Sequence, residues 1–136
     1  MERCRINIII FTGWFLFMAC LALPALFDNK EAIYGYTLGF LAVESISGIF
    51  ETDKWPFVEI SGIGNVMASL SIFSVFIKNR RLLIIIAVTF AFLGINNTVY
   101  YFRGLGSDFA LGYYLWVISY FVLVSGCIAM ANKNSN

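Results

Sequence analysis

Residues 32–50, AIYGYTLGFLAVESISGIF, decide how this chain is built. They are apolar enough to cross a membrane, yet Gly35 and Gly39 interrupt their first half, and Glu44, Ser45, Ser47 and Gly48 their second. Four other segments carry less ambiguity. Residues 6–27, 56–77, 82–102 and 109–130 are almost without charge, and about 20 mainly apolar residues cross about 30 Å of hydrocarbon as a helix. The chain therefore crosses either four times, with 32–50 outside the bilayer core, or five times.

Basic residues choose between the two, because Lys and Arg concentrate in cytoplasmic loops. Four crossings with a cytoplasmic N-terminus place Arg3, Arg5, Lys78, Arg80, Arg81 and Lys133 inside, and only Lys30, Lys54 and Arg103 outside. Five crossings keep Arg3, Arg5, Lys54 and Arg103 inside and export Lys30, Lys133 and the Lys78-Asn-Arg-Arg81 cluster. Inverting the five-crossing arrangement still leaves a weaker bias. The expected fold class is all-α integral membrane: a four-transmembrane-helix bundle in one polytopic domain, 1–136, with both termini cytoplasmic. A long outer loop, 28–55, then holds 32–50 as a short amphipathic or partly re-entrant helix, or as a short hairpin. Irregular backbone at membrane depth requires protein or water to satisfy it.

Aromatic residues fit the same topology. Tyr100, Tyr101 and Phe102 end the third span, Tyr113, Tyr114 and Trp116 begin the fourth, and Trp55 opens the second. All are expected at the outer interface, where amphipathic rings favour the headgroup layer. The short connections 78–81 and 103–108 make spans two, three and four antiparallel neighbours.

Composition narrows the function. The 136 residues are 60% hydrophobic and 12% charged, against about 25% charged in a soluble domain. A net charge of +1 gives no support for nucleic acid as a partner. The absence of histidine removes the commonest general base and metal ligand. Cys4, Cys20 and Cys127 share no short spacing and read as small apolar packers. Residues 6–27 exceed the 7–15 apolar residues of a signal h-region, so they read as a retained span. No catalytic residue, metal site or cofactor is expected.

The candidate residues are the polar groups in or beside the spans, each of which needs a partner or a purpose in lipid. Ser61, Asn65 and Ser69 recur every four residues on one face of the second span, and are expected to hydrogen-bond a neighbouring helix or to line a path. Asn96 and Asn97 lie in Gly94-Ile-Asn-Asn-Thr98 of the third span. Adjacent helical residues point about 100° apart, so they are expected to face different partners, one of them Ser61 or Asn65. Glu59 is the single carboxylate inside a span, one turn from its outer end, where helix N-termini favour negative charge. It is within reach of Lys54 or Arg103. Glu44, Glu51 and Asp53, with Asp28, Glu31 and Asp108, make the outer side acidic, which reads either as ordinary solvated surface or as a docking face for a cationic partner.

Tyr34-Gly-Tyr-Thr-Leu-Gly39 and Leu111-Gly-Tyr-Tyr-Leu-Trp116, with the spacing of the spans, resemble small bacterial four-helix membrane proteins that have no assigned activity. That pattern favours Trp and Asn-Pro at the start of the second span. This chain instead reads Trp55-Pro-Phe and carries Asn65 later. The resemblance implies a bacterial inner-membrane setting and transfers no functional residue. In size and build the chain also looks like the multipass immunity proteins that protect bacteria from membrane-active toxins, an architectural likeness alone.

The expected function is that of a non-enzymatic inner-membrane protein in a lipid bilayer. It binds or regulates another membrane-associated polypeptide, and an immunity role is the most specific form. The alternative is a homo-oligomeric transporter or channel for a small solute or ion, with the Ser61–Asn65–Ser69 face lining the path.

Overall fold

A computed structural model of the chain describes residues 2–28, 31–44, 57–102 and 109–134. The side chains of some described positions, Glu59 among them, lie outside that description. In chain order the elements are α1 (Glu2–Ala22), β1 (Pro24–Asp28), β2 (Glu31–Tyr34), α2 (Gly35–Glu44), α3 (Phe57–Leu70), a 3-10 segment (Ser71–Phe76), α4 (Arg80–Phe102) and α5 (Leu111–Lys133). Three helical stretches, Cys4–Ala22, Arg80–Val99 and Leu111–Lys133, are long and apolar enough to cross a membrane.

The first expected span, 6–27, ends early, at Ala22. Pro24 fixes φ, lacks an N–H and drives the preceding Leu23 towards extended backbone, so the helix cannot run on. The chain instead enters β1, which pairs antiparallel with β2, Leu26 opposite Ile33 and Asp28 opposite Glu31. An all-α architecture is therefore corrected by one small hairpin. Immediately after it, Gly35 starts α2, its N–H bonded to the Leu23 carbonyl at 2.9 Å. A Cβ on Gly35 would lie 2.1 Å from the Cys20 carbonyl oxygen, so glycine alone permits this approach. The ten residues of α2 rise about 15 Å, half of what a crossing needs. Residues 45–50 of the ambiguous stretch lie outside the described residues.

The second expected span, 56–77, is not one uniform α-helix. α3 stops at Leu70 and tightens into six residues of 3-10 helix. Ser71 Oγ donates to the Ala68 carbonyl at 2.7 Å and Ser74 Oγ to the Ser71 carbonyl at 2.6 Å. Hydroxyls that bond three residues back compete with the α-helical ladder, which accounts for the tighter turns. The tightening also lengthens the segment. At about 1.5 Å per α residue and about 2.0 Å per 3-10 residue, 57–76 reach about 33 Å. α4 begins where Asn79 Oδ1 accepts from the N–H groups of Arg81 (2.9 Å) and Leu82 (3.3 Å), an N-cap that fixes the turn after Ile77.

α1 packs antiparallel against α5. Gly126 sits against Ile10, where a Cβ would lie 2.6 Å from Ile10 Cγ1, and Gly13 sits against Leu123. Small residues at such crossings let helix backbones close up. Ile10, Phe17, Leu83, Phe90, Tyr120 and Leu123 form the centre of the core. The outer faces carry exposed Phe15, Phe73, Phe76, Ile85 and Val88, an apolar surface on every long helix side turned away from that core. At one end, Asn134 Nδ2 bonds the Ile77 and Lys78 carbonyls at 3.3 and 3.0 Å. At the other, Ala110 N–H bonds the Ala25 carbonyl at 2.8 Å, joining the start of α5 to the hairpin.

Candidate functional site

The polar residues of α3 and α4 meet in the interior and recruit α5. Ser61 Oγ donates to Asn97 Oδ1 at 2.6 Å and accepts from Asn96 Nδ2 at 3.3 Å. Both asparagines thus converge on one serine, against the expectation that they face different partners. Two neighbours separated by about 100° straddle the line joining two helices. A short Ser side chain between them lets each longer amide reach in from its own side.

One turn further along α3, Asn65 Oδ1 accepts from Trp116 Nε1 at 2.9 Å. The Tyr113 hydroxyl donates to the Asn97 carbonyl. Both aromatic tips therefore point inward, to partners on α4 and α3; Tyr114, between them, is exposed. Tyr113, Trp116 and Tyr120 fall at i, i+3 and i+7, one helical face. Their rings form a ladder, with centroids 5.7 Å apart for Tyr113–Trp116 and 6.4 Å for Trp116–Tyr120, both edge-on. That spacing was the available signal. Aromatic residues near a span end default to the interface unless a polar partner on another helix is known.

Among the described residues, two polar atoms at the centre have no hydrogen-bond partner: Asn97 Nδ2 and the Tyr120 hydroxyl, on residues that are 0% exposed. The Tyr120 hydroxyl lies beside the Trp116 and Asn97 side chains, and packs so closely on α3 that a Cβ on Gly64 would be 2.6 Å from it. Each such atom costs about 1–3 kcal/mol in desolvation.

The remaining candidates are placed less centrally. Ser69 is exposed and bonds within its own helix, Oγ to the Asn65 carbonyl at 2.8 Å, while its own carbonyl accepts from Trp14 Nε1 at 3.1 Å. Glu44 is exposed at the end of α2. The backbone of Glu59 lies in the first turn of α3. Glu51, Asp53 and Arg103 lie outside the described residues, as does Trp55. Cys20 and Cys127 are buried in separate helices, and Cys4 is exposed. Among the described residues no group of His, Cys, Asp or Glu is arranged to hold a metal.

A cavity of about 30 Å³ opens between the end of α1, the start of α2, α3 and the start of α5. Cys20, Gly39, Asn65, Gly112, Tyr113 and Trp116 are among its walls, and no wall residue among the described residues is charged.

Fold and site together define a helical protein with, among the described residues, three helices long and apolar enough to span a bilayer and a hydrogen-bonded polar interior. The chain matches no family model, no curated protein and no solved structure.

Proposed function

We propose that this is a non-enzymatic, four-crossing protein of a bacterial inner membrane that binds or regulates another membrane-associated polypeptide. The observation that carries it is where the polar side chains go. Ser61, Asn65, Asn96 and Asn97 are buried and hydrogen-bonded within the chain, so the interior serves as a rigid scaffold. What remains for recognition is the apolar outer surface and the acidic segment between spans one and two. The 57–76 segment is long enough for the fourth crossing, and the basic residues favour cytoplasmic termini. Protection against a membrane-active toxin is the most specific form of this function.

The oligomeric transport alternative has less to draw on, because its lining face, Ser61 and Asn65, is engaged inside a single chain. The test is affinity purification from native membranes in mild detergent, with mass spectrometry and particle mass. A stoichiometric second polypeptide supports the proposal. A homo-oligomer alone, with solute flux in liposomes above empty-vesicle leak, overturns it.

A further inference from the structure

The cavity at the hairpin end of the helices holds a donor that the fold does not use. Asn65 is 6% exposed and lines the cavity. Its Oδ1 is taken by the Trp116 indole, while its Nδ2 donates to no group among the described residues. The atom is aimed at open space. A Cβ on Gly39, across the cavity, would lie 3.7 Å from Asn65 Nδ2 and 3.4 Å from Leu21 Cδ2, ordinary contacts that a methyl can occupy.

We infer that this cavity is a binding site for one uncharged oxygen acceptor, held by the Asn65 Nδ2 N–H. Size and charge define the class. A volume of about 30 Å³ holds a few heavy atoms at most, since one water needs about 10–15 Å³ of such space. The neutral, largely apolar walls leave an anion without compensation, which in a low-dielectric site is prohibitive. A carbonyl or water oxygen is neutral and accepts from an amide N–H at little cost. Gly39, whose Cβ direction meets Leu21 Cδ2 and Asn65 Nδ2, keeps the wall opposite Asn65 thin. Trp116 fixes the amide, because an indole N–H is donor-only and holds Oδ1 to itself, leaving Nδ2 pointed at the cavity.

Two sources supply that oxygen: an ester carbonyl of a phospholipid, at the depth where interfacial aromatic residues lie, or water. The site stands independently of which polypeptide the protein recognises. The experiment uses the full chain labelled with ¹⁵N at asparagine, in nanodiscs of diester phosphatidylcholine and, separately, of the diether analogue that lacks the carbonyl. The Asn65 side-chain amide signal is assigned by its loss in Asn65→Gln. A hydrogen-bonded, downfield amide proton in diester discs that moves upfield in diether discs establishes the site with lipid as the source. The same downfield proton in both lipids, with an exchange cross-peak to water, establishes it with water. In Gly39→Ala the downfield signal is lost while helical circular dichroism is unchanged. An Asn65 amide at the free-amide position in both lipids and without a water cross-peak, or a bonded signal indifferent to Gly39→Ala, overturns the inference.

Discussion

Tyr120 and Gly64 show how finely the interior is fitted. The Tyr120 hydroxyl is fully buried, has no hydrogen-bond partner among the described residues and leaves no room for a Cβ at position 64. Tyr120→Phe removes a group whose desolvation costs about 1–3 kcal/mol, so the variant is expected to match or exceed the wild type in thermal unfolding in detergent. Gly64→Ala is expected to destabilise the wild type by about 1–3 kcal/mol through overpacking, and by clearly less in the Tyr120→Phe background, a coupling measured by a double-mutant cycle. Ser61→Ala breaks the bonds to Asn96 and Asn97 and is expected to cost about 0.6–2 kcal/mol, read by the same unfolding assay. The α3 and α4 members of this cluster were legible in the sequence, because amides and hydroxyls within a span stand out against apolar neighbours. Tyr113, Trp116 and Tyr120 were not, since their polar tips reveal their direction only once Asn65 and Asn97 are placed opposite them.

Local chemistry sets each element, and its visibility in the sequence varies accordingly. α4 is near its expected range, Arg80–Phe102, because it has no proline and its threonine hydroxyls bond four residues back, in step with the α-helical ladder. Its first turn is held by the Asn79 side chain, and Asn79→Ala is expected to lose about 1 kcal/mol in equilibrium unfolding, with helix content retained at low denaturant. α1 ends before its expected boundary because Pro24 and the hairpin intervene, a tertiary arrangement that hydropathy alone does not register. The second span reads as one apolar run, yet Ser71 and Ser74 turn their hydroxyls onto the backbone and wind its end into 3-10 helix. Between helices, the α1–α5 contact depends on Gly126. Gly126→Val puts its Cβ 2.6 Å from Ile10 Cγ1, and overpacking of this kind costs about 1–3 kcal/mol. Cysteine crosslinking between Ile10 and Gly126 neighbours is expected to weaken in parallel.

At the scale of the whole molecule, the antiparallel helices put the Ile77–Asn79 turn and the C-terminal end of α5 together, tied by Asn134, and the hairpin at the opposite end, tied by Ala110. Charge counting in the sequence points to the same grouping. What sequence left open, the state of 32–50, is answered within the described part by a strand and a ten-residue helix too short to cross. The central claim is that 57–76 makes the fourth crossing despite its 3-10 turns, and Lys78 is the position that decides it. Single cysteines at Cys4, Glu31→Cys and Lys78→Cys, each with the other native cysteines replaced by alanine, are to be probed with a membrane-impermeant maleimide on intact and permeabilised cells. Four crossings predict that Lys78→Cys labels with Cys4, on permeabilisation only, while Glu31→Cys labels on intact cells. Labelling of Lys78→Cys together with Glu31→Cys on intact cells, as three or five crossings require, would contradict the account.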